Sequence, residues 1–231
     1  MYVNGILIDK DQVDYNLANV YTKWQEDLTE TLSEFDGEVE CIVDPKSNIM
    51  VQPTGWTDMS GMEFTPNNRD ALLERFSKVK NNCHAILEIG VHRPSWNGAC
   101  TSTSVFLSNK LTKTIYVGID QEDKSQLNDL DNNVYTIRDN SSNFDYNWKR
   151  IQELGVTALD FIFIDGDHSI NQVKRDWQYT QHLSPTGIVG FHDTTIHPGP
   201  KEFVRALDRN KWVVEENVCL GDWGIGFAWK K

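Results

Sequence analysis

The chain has 231 residues, 39 % of them hydrophobic, enough to bury one substantial core and carry a short additional element. With 22 basic against 34 acidic residues, a formal net charge of −12, its surface repels polyphosphate and argues against a nucleic-acid partner. No apolar run reaches the roughly 20 residues that span a bilayer, and MYVNGILIDKDQ at the start lacks a basic leader with a long apolar run behind it, so the expectation is a soluble, cytoplasmic protein with no membrane partner.

In chain order, Leu17, Tyr21, Trp24, Leu28, Leu32 and Phe35 recur at three- and four-residue steps and predict an amphipathic helix that Asp14 is placed to cap. GEVECIVD and SNIMVQPTG read as short extended pieces between turn residues, and GWTDMSGMEFTPNN as a loop. Residues 1–66 therefore form a helical and extended segment of their own. It either covers a substrate pocket, makes a subunit contact (and hence a homo-oligomer), or packs on a sheet edge. From residue 67 to 231 the pattern is that of one domain. Asn67 or Asn68 caps a helix through RDALLERFSKVK, with Leu72, Leu73, Phe76 and Val79 as its apolar face.

Beyond Lys80 five short apolar strands follow: AILEIG, TIYVGID, NVYTI, LDFIFID and GIVGFHD. Stretches of helical length, 101–110, 121–130, 146–154 and 169–182, separate them. Nearly continuous apolar strands alternating with helices mean a parallel sheet covered on both faces. KWVVEENV and WGIGFAWK close the chain as two strands that pair antiparallel at the edge. The fold class is thus α/β, an open, doubly wound, mostly parallel sheet with an antiparallel C-terminal edge. Cys41, Cys83, Cys100 and Cys219 show neither CxxC nor metal-ligand spacing and read as free thiols.

Such a sheet places its chemistry at the carboxyl ends of the strands. Gly90 leaves the first strand into a loop that passes Gly98 and enters a hydroxyl-rich helix. Glycine lets backbone approach a ligand closely, and the helix start offers free N–H groups. The pattern is neither a phosphate loop nor a compact GxGxxG. Asp120 ends the second strand, where a carboxylate can accept from both ribose hydroxyls, or else cap the next helix. The turn holding Asp139, Asn140 and Ser141 ends the third strand, suited to reading a base edge or simply to turning. Asp165 ends the fourth strand and His192-Asp193 the fifth, with His168 three residues past Asp165. If those strands are neighbours, two carboxylates and an imidazole share one rim and need a cation or a substrate proton between them. Mg²⁺, Mn²⁺ or Ca²⁺ suits the oxygens, and the imidazole also admits Zn²⁺. His168 is placed to take a proton from a hydroxyl, or to cap the next helix.

These residues carry a resemblance. The segment from about Ala85 to Asp193 resembles class I S-adenosylmethionine-dependent methyltransferases with a Rossmann-like fold. Within them it is similar to the divalent-metal-dependent O-methyltransferases, the catechol, caffeoyl-CoA, macrolide-sugar and cephalosporin-hydroxylase-like group. ILEIG resembles the first cofactor motif, YVGID the ribose motif, and FIFIDGDHSINQVKRDW with LSPTGIVGFHDT the metal and base motifs. The resemblance implies S-adenosylmethionine contacts from Glu88, Gly90, Gly98, Asp120, Asn140 and Ser141. It implies a magnesium-type cation on Asp165, His192 and Asp193, and Asp165 and His168 as the catalytic pair. Three departures stand out: the loop GVHRPSWNGACTS is long, His192 replaces an acidic residue, and Asn140 does likewise. The implied function is O-methyl transfer to a hydroxylated small molecule, such as a sugar. Trp56, Trp96 and Trp223 are placed either to stack on it or to pack. A dinucleotide-dependent oxidoreductase and a non-catalytic binding protein retaining the fold are the alternatives.

Overall fold

A computed structural model describes residues 68–91, 101–195, 197–219 and 223–231, and the backbone of a short antiparallel pair, Tyr2–Val3 with Ile6–Leu7. The expected helix from Leu17 to Phe35, the loop with Trp56, and Trp96, Gly98, Cys41 and Cys100 lie outside the described residues. Cys83 and Cys219 are free and buried.

Seven strands make the sheet: β1 (Ala85–Ile89), β2 (Ile115–Asp120), β3 (Val134–Arg138), β4 (Leu159–Ile164), β5 (Leu183–His192), β6 (Trp212–Glu215) and β7 (Ile225–Lys230). Their spatial order is β3-β2-β1-β4-β5-β7-β6. The first five are parallel, whereas β7 runs antiparallel to both β5 and β6. Every residue of β1 and β4 is buried, as expected of strands covered on both faces. The reversal of direction in strand order falls between β1 and β4, so their carboxyl ends open a crevice there.

Helices α1 (Asn68–Val79) and α2 (Ser102–Asn109) cover one face. Phe76, Phe106 and Phe161 meet there edge to face, with ring centroids 5.4–5.7 Å apart. Helices α3 (Phe144–Glu153), α4 (Ile170–Asp176) and α5 (Pro198–Ala206) cover the other, through Trp148, Ile151, Val173, Phe203 and Val204.

Four details differ from the sequence reading. Residues 121–130 hold only a 3-10 turn, Ser125–Leu127, and an isolated bridge from Asp129 to Val134. The carboxylates of Asp120 and Asp123 accept the N–H groups of Glu122 and Ser125, and these local turns compete with a helix. The stretch 169–182 is helical throughout but becomes 3-10 from Trp177. Leu73, expected on the buried face of α1, is 37 % exposed, because Ala71, Leu72 and Phe76 already define that face. Helix α5 was not anticipated, although Pro198 and Pro200 in its first turn precede Phe203 and Val204 on one face.

Candidate active site

The strand ends enclose a cleft of about 350 Å³ lined by Gly90, Asp120, Asp139, Ser141, Gly166 and Gln172, among others. Gly90 has φ +83°, and a Cβ there would stand 2.0 Å from the carbonyl oxygen of Asp165. Only glycine lets β1 turn this closely over the end of β4. The carboxylate of Asp120 braces that turn: Oδ2 accepts the N–H of Val91 at 2.8 Å and Oδ1 accepts that of Glu122 at 2.8 Å. Each oxygen retains a second lone pair for a ligand in the cleft.

The other residues assigned to the cofactor divide. Ser141 is buried at the cleft, where its hydroxyl accepts from Gln172 at 2.9 Å. Asn140 is exposed, and its side chain accepts the N–H of Ser142 in a turn; its neighbour Asp139 lines the cleft instead. The Oδ2 of Asp139 is buried without a hydrogen-bond partner, while Oδ1 accepts from Asn143. Glu88 stands two residues before Gly90 but projects to the α1/α2 face, fully buried. Ser102 at 2.5 Å, Thr103 at 2.8 Å and Tyr116 all donate hydroxyls to it. Its carboxylate thus ties β1 to the first turn of α2 and does not reach the cleft.

Burial pushes the Glu88 carboxyl up to about 7, against the three hydroxyls that lower it. A raised folded-state value means stability that is full below about 4.5 and is lost as pH rises through about 7. Glu88→Gln is therefore expected to flatten the stability profile across that window, removing about 3 kcal/mol of pH dependence. Urea denaturation at pH 5 and pH 8 measures it, and an unchanged difference between the two would refute the assignment.

Beside the cleft, adjacent pairing of β4 and β5 brings the second group together. The Nδ1 of His192 lies 3.0 Å from Asp165 Oδ1 and 3.0 Å from Asp193 Oδ1. The amide of Asn68, on α1, meets the other ring nitrogen at 3.1 Å, so that Nδ1 is the one facing the carboxylates. The Nε2 of His168 is 2.7 Å from Asp193 Oδ2. Asp193 is 3 % exposed and takes φ +61°, a conformation that non-glycine residues seldom adopt. His168 stands just before Ser169, and it is the Ser169 hydroxyl that accepts the Gln172 N–H and caps α4. The cap role open to His168 thus belongs to its neighbour.

Burial opposes charge on all these groups, but their mutual attraction outweighs it. The carboxylates of Asp165 and Asp193 hold His168 up at about 9 and His192 well above its usual value. Both carboxyls are held below the ordinary range, chiefly by His192 for Asp165 and by His168 and His192 for Asp193. His168 Nε2 is paired with Asp193 Oδ2 at 2.7 Å and Asp193 Oδ1 with His192 Nδ1 at 3.0 Å, so that with Asp165 the four groups meet at one buried point. Carboxylates and imidazoles that share protons at one point can exchange those protons for a cation. Asp165, His192 and Asp193 each offer one ligand atom, all within 4.8 Å of one another.

His197 escaped the sequence reading. It precedes Pro198 at the N-cap of α5, and its N–H donates to the Asp193 carbonyl at 3.1 Å. Its ring stacks on that of His168 at 4.0 Å. Its separation from Asp193 by four residues, just ahead of a proline helix start, was the available signal.

A glycine turn, an acidic second-strand end and a mostly parallel sheet with one reversed strand make a Rossmann-like fold of the kind methyltransferases share. Residues 87–194 match the family described as methyltransferase domain. No curated protein sequence matches the chain significantly. Among solved structures, it is similar to the mycinamycin-pathway methyltransferase MycE in complex with Mg, SAH and mycinamycin VI, at 19 % identity and a TM-score of 0.51. That match covers 68 % of this chain and 47 % of MycE, so the chain spans about half the length of that relative. The O-methyltransferase TomG from Streptomyces achromogenes, in complex with SAM, matches at 14 % identity and TM-score 0.50, over 71 % of this chain and 79 % of TomG. An rRNA methylase from Streptococcus thermophilus matches at 11 % identity and TM-score 0.50, over 73 % and 99 %. At such identities the likeness is one of fold. Among the described residues, no helix is long and apolar enough to cross a membrane.

Proposed function

We propose that this domain transfers a methyl group from S-adenosylmethionine to a hydroxyl oxygen of a small molecule, such as a sugar, with a divalent cation on Asp165, His192 and Asp193. The observation that carries this is the convergence of two carboxylates and two imidazoles beside a cleft lined by Gly90 and Asp120. MycE and TomG, with Mg and SAH or with SAM in their structures, are in keeping with it. A net charge of −12 disfavours an RNA acceptor, despite the rRNA methylase of like fold.

S-adenosylmethionine, when bound, supplies a methyl group on a sulfonium. Asp120 would accept hydrogen bonds from the ribose hydroxyls, Gly90 would let the backbone approach, and Ser141 with Asp139 would border the base. A divalent cation, when bound, orients an acceptor hydroxyl and eases its ionisation. Asp165 and Asp193 would hold the cation and His192 would add a nitrogen, its ring fixed by Asn68. With their charge shared in this way, the carboxylates would hold His168 up less strongly, and its Nε2 would be free to take the acceptor's proton near neutral pH. Alignment and proton removal supply the rate.

Calorimetry with S-adenosylhomocysteine tests the reading. Binding is expected, with none for NAD or NADP; the reverse would install the oxidoreductase alternative. Asp120→Ala is expected to weaken S-adenosylhomocysteine by about 10- to 100-fold, the loss of charge-assisted hydrogen bonds to the ribose. Asp165→Asn is expected to abolish Mn²⁺ uptake at the rim, read by electron paramagnetic resonance, and turnover with it. Cofactor binding without turnover on any hydroxylated acceptor would favour a binding protein.

A further inference from the structure

The two oxygens of Asp193 face different partners. Oδ1 lies against His192 and, with Asp165, completes the set already described. Oδ2 lies 2.7 Å from His168 Nε2 and 3.9 Å from His197 Nε2. His168, Asp193 and His197 thereby form a second set whose ligand atoms also lie within 4.8 Å of one another. Ligand atoms around one tetrahedral ion, with bonds of about 2.0–2.2 Å, stand roughly 3.4 Å apart, between the two distances observed.

The fold holds this second set rigidly. The His197 N–H donates to the Asp193 carbonyl at 3.1 Å. Gly199, in the first turn of α5, packs so tightly on residues 168–170 that a Cβ would stand 2.0 Å from the His168 carbonyl oxygen. Two imidazoles stacked at 4.0 Å and aimed at one buried carboxylate are therefore fixed by backbone. An imidazole pair with one carboxylate suits a borderline cation such as Zn²⁺ or Co²⁺ and suits Mg²⁺ poorly.

We infer that His168, Asp193 and His197 form a second cation site, selective for Zn²⁺ or Co²⁺, which shares Asp193 with the first site. Filling it occupies the Nε2 of His168, so Zn²⁺ is an inhibitor of methyl transfer; this last consequence rests on His168 being the base proposed above. The site itself stands on geometry alone.

The test uses metal-free full-length protein titrated with Zn²⁺ by calorimetry and with Co²⁺ by visible absorption. Wild type is expected to take up roughly two equivalents of Co²⁺, one with the intense bands of a four-coordinate ion. His197→Gln is expected to lose that equivalent and those bands while keeping Mn²⁺ at the first site. Asp165→Asn should do the converse. His197→Cys, which restores a ligand, should regain Zn²⁺ binding. Unchanged Zn²⁺ affinity and stoichiometry in His197→Gln would overturn the inference, as would its loss of Mn²⁺ and Zn²⁺ together. Inhibition by Zn²⁺ that disappears in His197→Gln supports the regulatory consequence, and inhibition equal in both proteins refutes it. S-adenosylhomocysteine titration stands apart: if it fails, the methyltransferase reading falls while the metal result remains.

Discussion

His168→Ala is expected to fold, to bind S-adenosylhomocysteine about as well as wild type, and to lose about 10²-fold or more of its turnover. The residue does not line the cofactor cleft, so affinity for the nucleoside should be spared. Nor does it cap α4, a task that falls to Ser169. Its Nε2 points instead to the buried Asp193, in the corner where an acceptor hydroxyl held by Asp165 would meet it. The loss should shrink as pH rises, because an acceptor that ionises by itself no longer needs a base. A pH–rate profile of both proteins over a panel of hydroxylated acceptors, with thermal unfolding as the check on folding, decides the matter. Full activity of the variant at neutral pH would leave His168 as a structural ion-pair partner of Asp193.

Gly90→Ala carries the largest expected effect on stability. At φ +83° an L side chain costs about 1–2 kcal/mol by itself. The added Cβ would also stand 2.0 Å from one backbone oxygen and 2.5 Å from the Asp165 carbonyl carbon. Neither atom belongs to a flexible side chain, so β1 and β4 must part where Asp165 N–H donates to the Ile89 carbonyl at 2.8 Å. Together we expect about 4 kcal/mol or more, a large fraction of the roughly 5–15 kcal/mol typical of a domain. Because Gly90 lines the cleft and Asp165 supplies the rim, affinity for S-adenosylhomocysteine and for Mn²⁺ should fall in any variant that still folds. Urea unfolding measures the first effect and calorimetry the second. Stability within about 1 kcal/mol of wild type would show that the turn yields.

The sequence by itself determined the sheet and its direction. Five short apolar runs separated by longer stretches leave few arrangements other than parallel strands buried on both faces, and β1 to β5 lie where those runs are. It also set Asp120, Asp165, His192 and Asp193 at strand ends, because an apolar run that stops at an ionisable group marks where the strand leaves the core. Side-chain direction and neighbourhood were another matter. Glu88 is only two residues from Gly90 in the chain, yet strand alternation sets it on the face of Ile86, where it meets Tyr116. Asp139 lines the cleft rather than Asn140, because the turn uses the Asn140 side chain for itself. The polar stretch 121–130 has the length of a helix but no apolar face to dock, and its aspartates cap turns instead. Above all, the order β1-β4-β5 decided which strand ends meet. Asp165, His168, His192, Asp193 and His197 come from three separate stretches of chain, and only the packing of β5 on β4 and of α5 on α4 makes them one site. Contacts between residues so distant in sequence depend on how faces pack, which local propensity does not encode.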